Sequence, residues 1–280
     1  MTGRSDLSGE EGVRALLDSL LESSRLYRSS ADYKALLDFV ARMPNFAPFN
    51  AMLLQIQKPG LSFAASQYDW YRLFGRRVNE GTRPLLILWP FGPVALVYDV
   101  MDTEGRELPR DVRTFYARGV IDKQRIEGFW EPLWKKGIEV CWMDAGDKSA
   151  GSIRVVQRSS DKKVATQYRM MINANHEPAV KFTTLAHELA HLFLGHLGLD
   201  EKLSVPDRRK ADHRQRELEA ESVAYIVCAR NGVTSASETY LVDYVQKNTS
   251  VDQVDVYQVM RAAGQIESLL GLGSHAKFLG

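Results

Sequence analysis

Within Leu185-Ala186-His187-Glu188-Leu189-Ala190-His191 two imidazoles stand four residues apart. That is about one turn of an α-helix, so both rings can reach a single ion from one helix face. Zinc is the natural guest of such a pair. Glu188 follows His187 directly and lies about 100° further round the helix, outside the ligand direction but able to lean over a water at the metal. That is the position of a general base. Leu185, Leu189, Leu192, Phe193 and Leu194 make the segment largely apolar, which favours a shared buried site over an exposed helix with chance histidines.

A third ligand is needed. Glu217, Glu219 and Glu221 open a later helical stretch. Glu217 and Glu221 share one face, whereas Glu219 points about 160° away from Glu217. Glu217 would complete a His-His-Glu set with one position left for water, as catalytic zinc requires. Glu221 could then accept the free ring proton of a ligand histidine. Glu219 is the competing position. An acidic first turn complementing a helix dipole would account for one or two of these glutamates, but not for their coincidence with the histidine pair. The continuation of the histidine helix carries Leu194 and Leu197 where a metzincin has its glycine and third histidine. His196 lies nearly opposite His187 on the helical wheel and is expected to interact with the helix C-terminus, not with metal.

These groups must be positioned by a sequence that reads as helices, then strands, then helices. Apolar spacing predicts helices over residues 13–27, 33–43, 49–57 and 68–73, with a basic turn over 75–81. Residues 84–89 and 94–100 read as a hairpin, and 111–135 as a further helix. Strands follow over 138–143, 153–157 and 168–173, separated by turns containing Gly146, Gly151 and Ser159-Ser160-Asp161. Thr183 or Thr184 is the expected cap of the histidine helix, which should end near Gly198. Three more helices are expected over 216–230, 237–247 and 251–270. The fold class expected is α+β, with a boundary near Leu108.

The chain has 280 residues, 45% hydrophobic and 25% charged, with a formal charge of +1. That balance creates no global field toward nucleic acid or anionic lipid. Its most apolar run, residues 85–98, is broken by Pro90, Gly92 and Pro93, so no membrane span is expected. The acidic early residues do not resemble a secretory signal, and the two cysteines, Cys141 and Cys228, suit a reducing compartment. A cytoplasmic location is expected.

With those residues in view, the pair His187-Glu188-x-x-His191 and Glu217-x-x-Ala220-Glu221 resembles the gluzincin metallopeptidases. The flanks TTLAHELAHLFLGH and EAESVAYIVC are similar to their ImmA/IrrE-like and ArdC-associated branches. The resemblance implies Zn2+ held by His187, His191 and Glu217, with Glu221 behind a ligand. Asn45-Phe46-Ala47-Pro48-Phe49-Asn50, Trp70, Leu73-Phe74-Gly75-Arg76-Arg77-Val78 and Thr103-Glu104-Gly105 resemble the N-terminal domain of ArdC-type antirestriction proteins, which implies association with single-stranded DNA. Between residues 42 and 83 six basic residues, Arg42, Lys58, Arg72, Arg76, Arg77 and Arg83, face two acidic ones, Asp69 and Glu80. Such cations could track phosphates while rings stack on bases, and Arg72, Arg76, Arg77, Trp70 and Lys58 are the candidate contacts. The equal alternative is a core of aromatics beneath a solvated basic face.

The resulting expectation is an ArdC-like domain over residues 1–108 followed by a zincin-like metallopeptidase domain over 109–280, in a mobile-element or defence setting. It would hydrolyse peptide bonds of a protein substrate, with Glu188 as base and residues 168–173 as an edge strand aligning the substrate. His176, His213, Tyr225 and Tyr240 are eligible oxyanion stabilisers by type. The competing reading is an antirestriction or single-stranded-DNA-binding protein whose zinc is structural.

Overall fold

A computed structural model describes residues 29–89, 92–108, 121–145, 150–158, 165–247 and 251–272. The expected helix over 13–27, the first part of that over 111–135, and the turns at Gly146 and Ser159-Ser160-Asp161 lie outside the described residues.

The first half begins with α1 (Ser30–Ala41), where the Ser29 hydroxyl accepts the Asp32 N–H at 3.1 Å as an N-cap. Its apolar face buries Tyr33, Leu36, Leu37 and Val40. Helix α2 (Pro48–Gln57) starts with proline in its first turn, where the missing N–H costs nothing. Strand β1 (Ala64–Ala65), helix α3 (Gln67–Arg72), β2 (Arg76–Val78), β3 (Leu85–Trp89), β4 (Gly92–Asp99) and β5 (Thr103–Gly105) follow. The expected hairpin is β3–β4, and β1 joins its far side in the order β1-β4-β3. The stretch expected as a basic turn contains β2, which pairs with β5 through Arg76↔Gly105 and Val78↔Thr103. The free edge of β3 is covered by two amides from α2. Asn50 bonds both the N–H and carbonyl of Leu88, at 2.9 and 3.1 Å, and Gln57 does the same to Leu86, at 2.9 and 2.8 Å. Side chains seven residues apart on a helix thereby satisfy alternate residues of a strand that would otherwise present unpaired backbone.

The second half carries α4 (Lys123–Glu127), α5 (Trp130–Lys135), β6 (Ile138–Met143), β7 (Gly151–Gln157) and β8 (Gln167–Asn173). Its last four helices are α6 (Pro178–Phe193), α7 (His213–Arg230), α8 (Ala236–Gln246) and α9 (Val256–Leu269). The single helix expected to reach Lys135 is split at Gly128-Phe129 into α4 and α5. Strand order is β6-β8-β7, with β6 parallel and β7 antiparallel to β8. Residues 168–173 are therefore central and not the substrate-aligning edge expected of them. Both flanks of β8 are filled, and β7 is the edge strand packed beside α6.

One buried cluster runs from Tyr33 to Leu272, across the expected division at residue 108. Its polar seam is Arg230, whose guanidinium donates to the carbonyls of Val40, Met43 and Phe46 and pairs with buried Glu267 at 2.6 Å. A buried arginine is tolerated only with its donors matched in this way. The fold class is α+β, and no helix among the described residues is long and apolar enough to cross a membrane.

Candidate metal centre

Helix α6 begins at Pro178, earlier than expected. Thr183 and Thr184 are not its caps. Both sit inside the helix and donate their hydroxyls to the carbonyls of Ala179 and Val180, one turn back. Phe182, Leu185, Ala186, Leu189, Ala190 and Leu192 bury the apolar side, which leaves His187, Glu188 and His191 along one margin. Helix α7 packs against that margin. It opens on Asp212, whose side chain accepts the Gln215 N–H at 2.8 Å, and then buries nearly everything from Leu218 to Cys228.

The packing brings His187, His191 and Glu217 together, with one ligand atom of each within 4.8 Å of the others. The two Nε2 atoms are 3.1 Å apart. The carboxylate oxygens of Glu217 stand 3.6 Å from each of them. Two nitrogens bound tetrahedrally to one zinc at about 2.0–2.1 Å stand roughly 3.3 Å apart, so this donor set fits a divalent cation. Nδ1 of His187 faces the Glu221 carboxylate at 3.5 Å, the outer partner that orients a ligand ring. Burial, reinforced by His187 and His196, holds the His191 imidazole down to about 3. A neutral ring is the form that ligates metal.

Glu188 is half-buried between α6 and β7. Burial raises its carboxyl above the usual range, as does the charge of Glu217, while His187 and a backbone hydrogen bond from Ile153 act the other way. Because the Ile153 N–H is directed at Glu188, it points away from β8, and by the alternation of an antiparallel strand the backbone groups of Gly151 and Val155 do so too. Gly151 lies so close to α6 that a β-carbon there would stand 2.5 Å from the Thr184 methyl and 2.7 Å from the Met171 carbonyl oxygen. Beside it a cavity of about 370 Å³ opens between β7, α6 and the α7–α8 turn, lined by Gly151, Thr183, Thr184, Glu188, Glu221 and Ser235.

His196 and Glu219 were underestimated by helical-wheel reasoning. The helix does not continue to Gly198, because Gly195 turns left-handed at φ +83°. The His196 N–H bonds the His191 carbonyl at 3.0 Å and the Gly195 N–H bonds that of Leu192 at 3.0 Å, the paired bonds of a Schellman ending. This folds the His196 ring back onto His191, with their Nδ1 atoms 2.9 Å apart. Its Nε2 faces Glu219 at 3.3 Å. Glu219 is fully buried and held by both terminal nitrogens of Arg208, at 2.8 and 2.7 Å. The readable signal is a glycine four residues after the second histidine, followed at once by a third.

Of the four oxyanion candidates, His213 stands at the centre, 3.6 Å from Glu217 with an exposed ring. Tyr225 bonds Asp38, Tyr240 packs on the core, and His176 faces Asn173. Three of the five nucleic-acid candidates are engaged by other parts of the chain. Trp70 is fully buried against Phe63 and Phe74, with its indole N–H donated to the Tyr98 carbonyl at 2.9 Å. It cannot stack on a base, and this corrects the expectation. Lys58 is likewise corrected as a phosphate contact, since Asp99 and Asp102 hold its ammonium at 2.9 and 2.8 Å. Arg76 is spent on Thr103 and the Arg106 carbonyl. Arg72 and Arg77 are exposed.

Residues 135–245 match the family model described as the IrrE N-terminal-like domain, Peptidase_M78. Over 88% of its length the chain is 20% identical to an uncharacterized protein of Bacillus anthracis, and it spans 49% of that relative. Two solved structures of the antirestriction protein ArdC from the R388 plasmid are similar at 16% identity. The metal-free one has a TM-score of 0.37, covering 80% of this chain and 82% of that one. The Mn(II)-bound one has a TM-score of 0.39, covering 88% and 98%. The matched segment, 135–245, contains α6 and α7 and with them every residue of the candidate metal centre, and it is similar to the IrrE N-terminal-like domain.

Proposed function

We propose that this chain is a zinc-dependent peptidase that hydrolyses peptide bonds in a protein or peptide substrate. The observation that carries the reading is the convergence of His187, His191 and Glu217 on one point, with a half-buried carboxylate, Glu188, beside it. A site meant only to brace the fold has no use for a base next to an open coordination position.

In this reading His187, His191 and Glu217 hold the ion. Bound there, zinc supplies Lewis acidity toward water and the scissile carbonyl. Glu188 takes a proton from the attacking water as the C–O bond forms, then delivers it to the leaving amine as the C–N bond breaks. Strand β7 replaces β8 as the element that would align an extended substrate, because its outward backbone groups lie on the side of Glu188. The cavity beside Glu188 would receive a substrate side chain.

Replacing Glu188 with Gln tests the assignment. Zinc content should match that of the unmodified protein while cleavage of a denatured protein substrate falls by at least about 100-fold, the scale of general base catalysis. Full cleavage activity in that variant would reject the mechanism. Retention of the protein's biological activity with no proteolysis in either form would favour a non-catalytic role for the metal.

A further inference from the structure

We propose that His196 is a positioning residue that fixes the tautomer of His191, with Glu219 and Arg208 as its anchor. The inference deepens the metal assignment and rests on it for its consequence, though not for its geometry.

The two Nδ1 atoms 2.9 Å apart require one ring to donate and the other to accept. If His196 donated from Nδ1 as a neutral ring, its bare Nε2 would face a carboxylate oxygen of Glu219 at 3.3 Å, acceptor against acceptor. If His196 carried both protons, a cation would sit in a ring that is only 1% exposed, beside the Arg208 guanidinium. The remaining arrangement matches a donor to an acceptor at both contacts of His196. His191 donates from Nδ1 to Nδ1 of His196, and His196 donates from Nε2 to Glu219. The proton on His191 is thereby confined to Nδ1, and its Nε2 lone pair is directed at the point shared with His187 and Glu217.

Glu219 is suited to be the terminus because it accepts only. Besides the two bonds from Arg208 it takes the Gln215 amide at 3.1 Å and the Asp255 backbone N–H at 3.0 Å. Burial by itself would raise this carboxyl, yet the bonds from His196, Arg208 and Asp255 bring it down to about 2. The chain from ring to ring to carboxylate to guanidinium also links three elements, since Arg208 lies in the α6–α7 connection and Asp255 caps α9. The turn at Gly195 makes it possible, because a β-carbon there would stand 2.1 Å from the Pro206 carbonyl oxygen.

The test compares His196→Leu with His196→Gln, whose amide keeps an acceptor oxygen and a donor nitrogen on one carbon. Zinc affinity, measured by competition with a chromophoric chelator, should fall about 10- to 100-fold in His196→Leu. His196→Gln should recover to within a few-fold. In parallel, long-range nitrogen–proton correlation spectra of the metal-free unmodified protein should show His191 protonated at Nδ1 and His196 at Nε2. A proton on Nε2 of His191, or a leucine variant that binds zinc as tightly as the unmodified protein, overturns the proposal. His187→Ala is measured alongside. If it binds zinc as tightly as the unmodified protein, the metal assignment has failed, and the spectra still decide the tautomer.

Discussion

Glu221 Oε1 stands 3.5 Å from Nδ1 of His187, on the opposite side of the ring from Glu217. The imidazole is thus held between two carboxylates of α7 that are four residues apart, one aimed at its outer nitrogen and one at the same point as its inner nitrogen. Removing the outer partner by Glu221→Ala should weaken zinc binding about tenfold or more with the fold preserved. Chelator competition and far-UV circular dichroism read the two effects. An unchanged affinity would mean that the His187 ring needs no such support.

Glu217 and Glu219 are neighbours in sequence with opposite expected phenotypes. Glu217→Ala should abolish stoichiometric zinc while leaving the unfolding temperature of the metal-free protein nearly unchanged, because its side chain is partly solvated. Glu219→Ala strands the half-buried Arg208 without its bidentate partner and should cost about 3–5 kcal/mol of stability. Denaturant unfolding of both metal-free variants distinguishes them, and a stable Glu219→Ala protein would contradict the role assigned to that carboxylate.

Acid should weaken the metal-free protein in a defined window. Burial, with help from His187 and His196, holds His191 at about 3 against an ordinary 6.5, and burial moves His196 in the same direction. The unfolded chain takes up these protons near pH 6.5, whereas the folded chain resists them. The stabilisation is therefore complete above pH 6.5 and is lost as pH falls toward 3, by at most about 1.4 kcal/mol per pH unit for each ring. Glu219, depressed to about 2 from 4.5, contributes its own loss only below pH 4.5. Unfolding temperatures between pH 7.5 and 5 should drop with acid, and less steeply in His191→Gln. A flat profile would remove the basis for a neutral, desolvated ligand.

Trp70→Ala should destabilise the first half of the chain by about 3–5 kcal/mol, as expected for a fully buried aromatic. Arg72→Ala and Arg77→Ala, at exposed positions, should change stability by less than about 0.5 kcal/mol. Thermal unfolding measures all three. A stable Trp70→Ala protein that loses single-strand affinity would restore the stacking role that burial denies.

What the amino-acid sequence determined by itself is what depends on neighbours along the chain. The four-residue spacing places His187 with His191, and Glu217 with Glu221, on single helix faces. The hairpin of β3 and β4 and the strands around residues 138–143 and 168–173 follow from short-range apolar patterning. Tertiary structure decided what depends on partners remote in sequence. The edge position fell to β7 because β6 crosses to lie parallel to β8, and pairing order is not encoded in any one strand. Trp70 was withdrawn from solvent beside Tyr98, and the Lys58 ammonium was paired with Asp99 and Asp102, about 30 to 45 residues downstream. His196 escaped the helical wheel because a wheel assumes that the helix goes on. At Gly195 it stops, and one left-handed residue turns a side chain drawn as facing away into one that contacts His191.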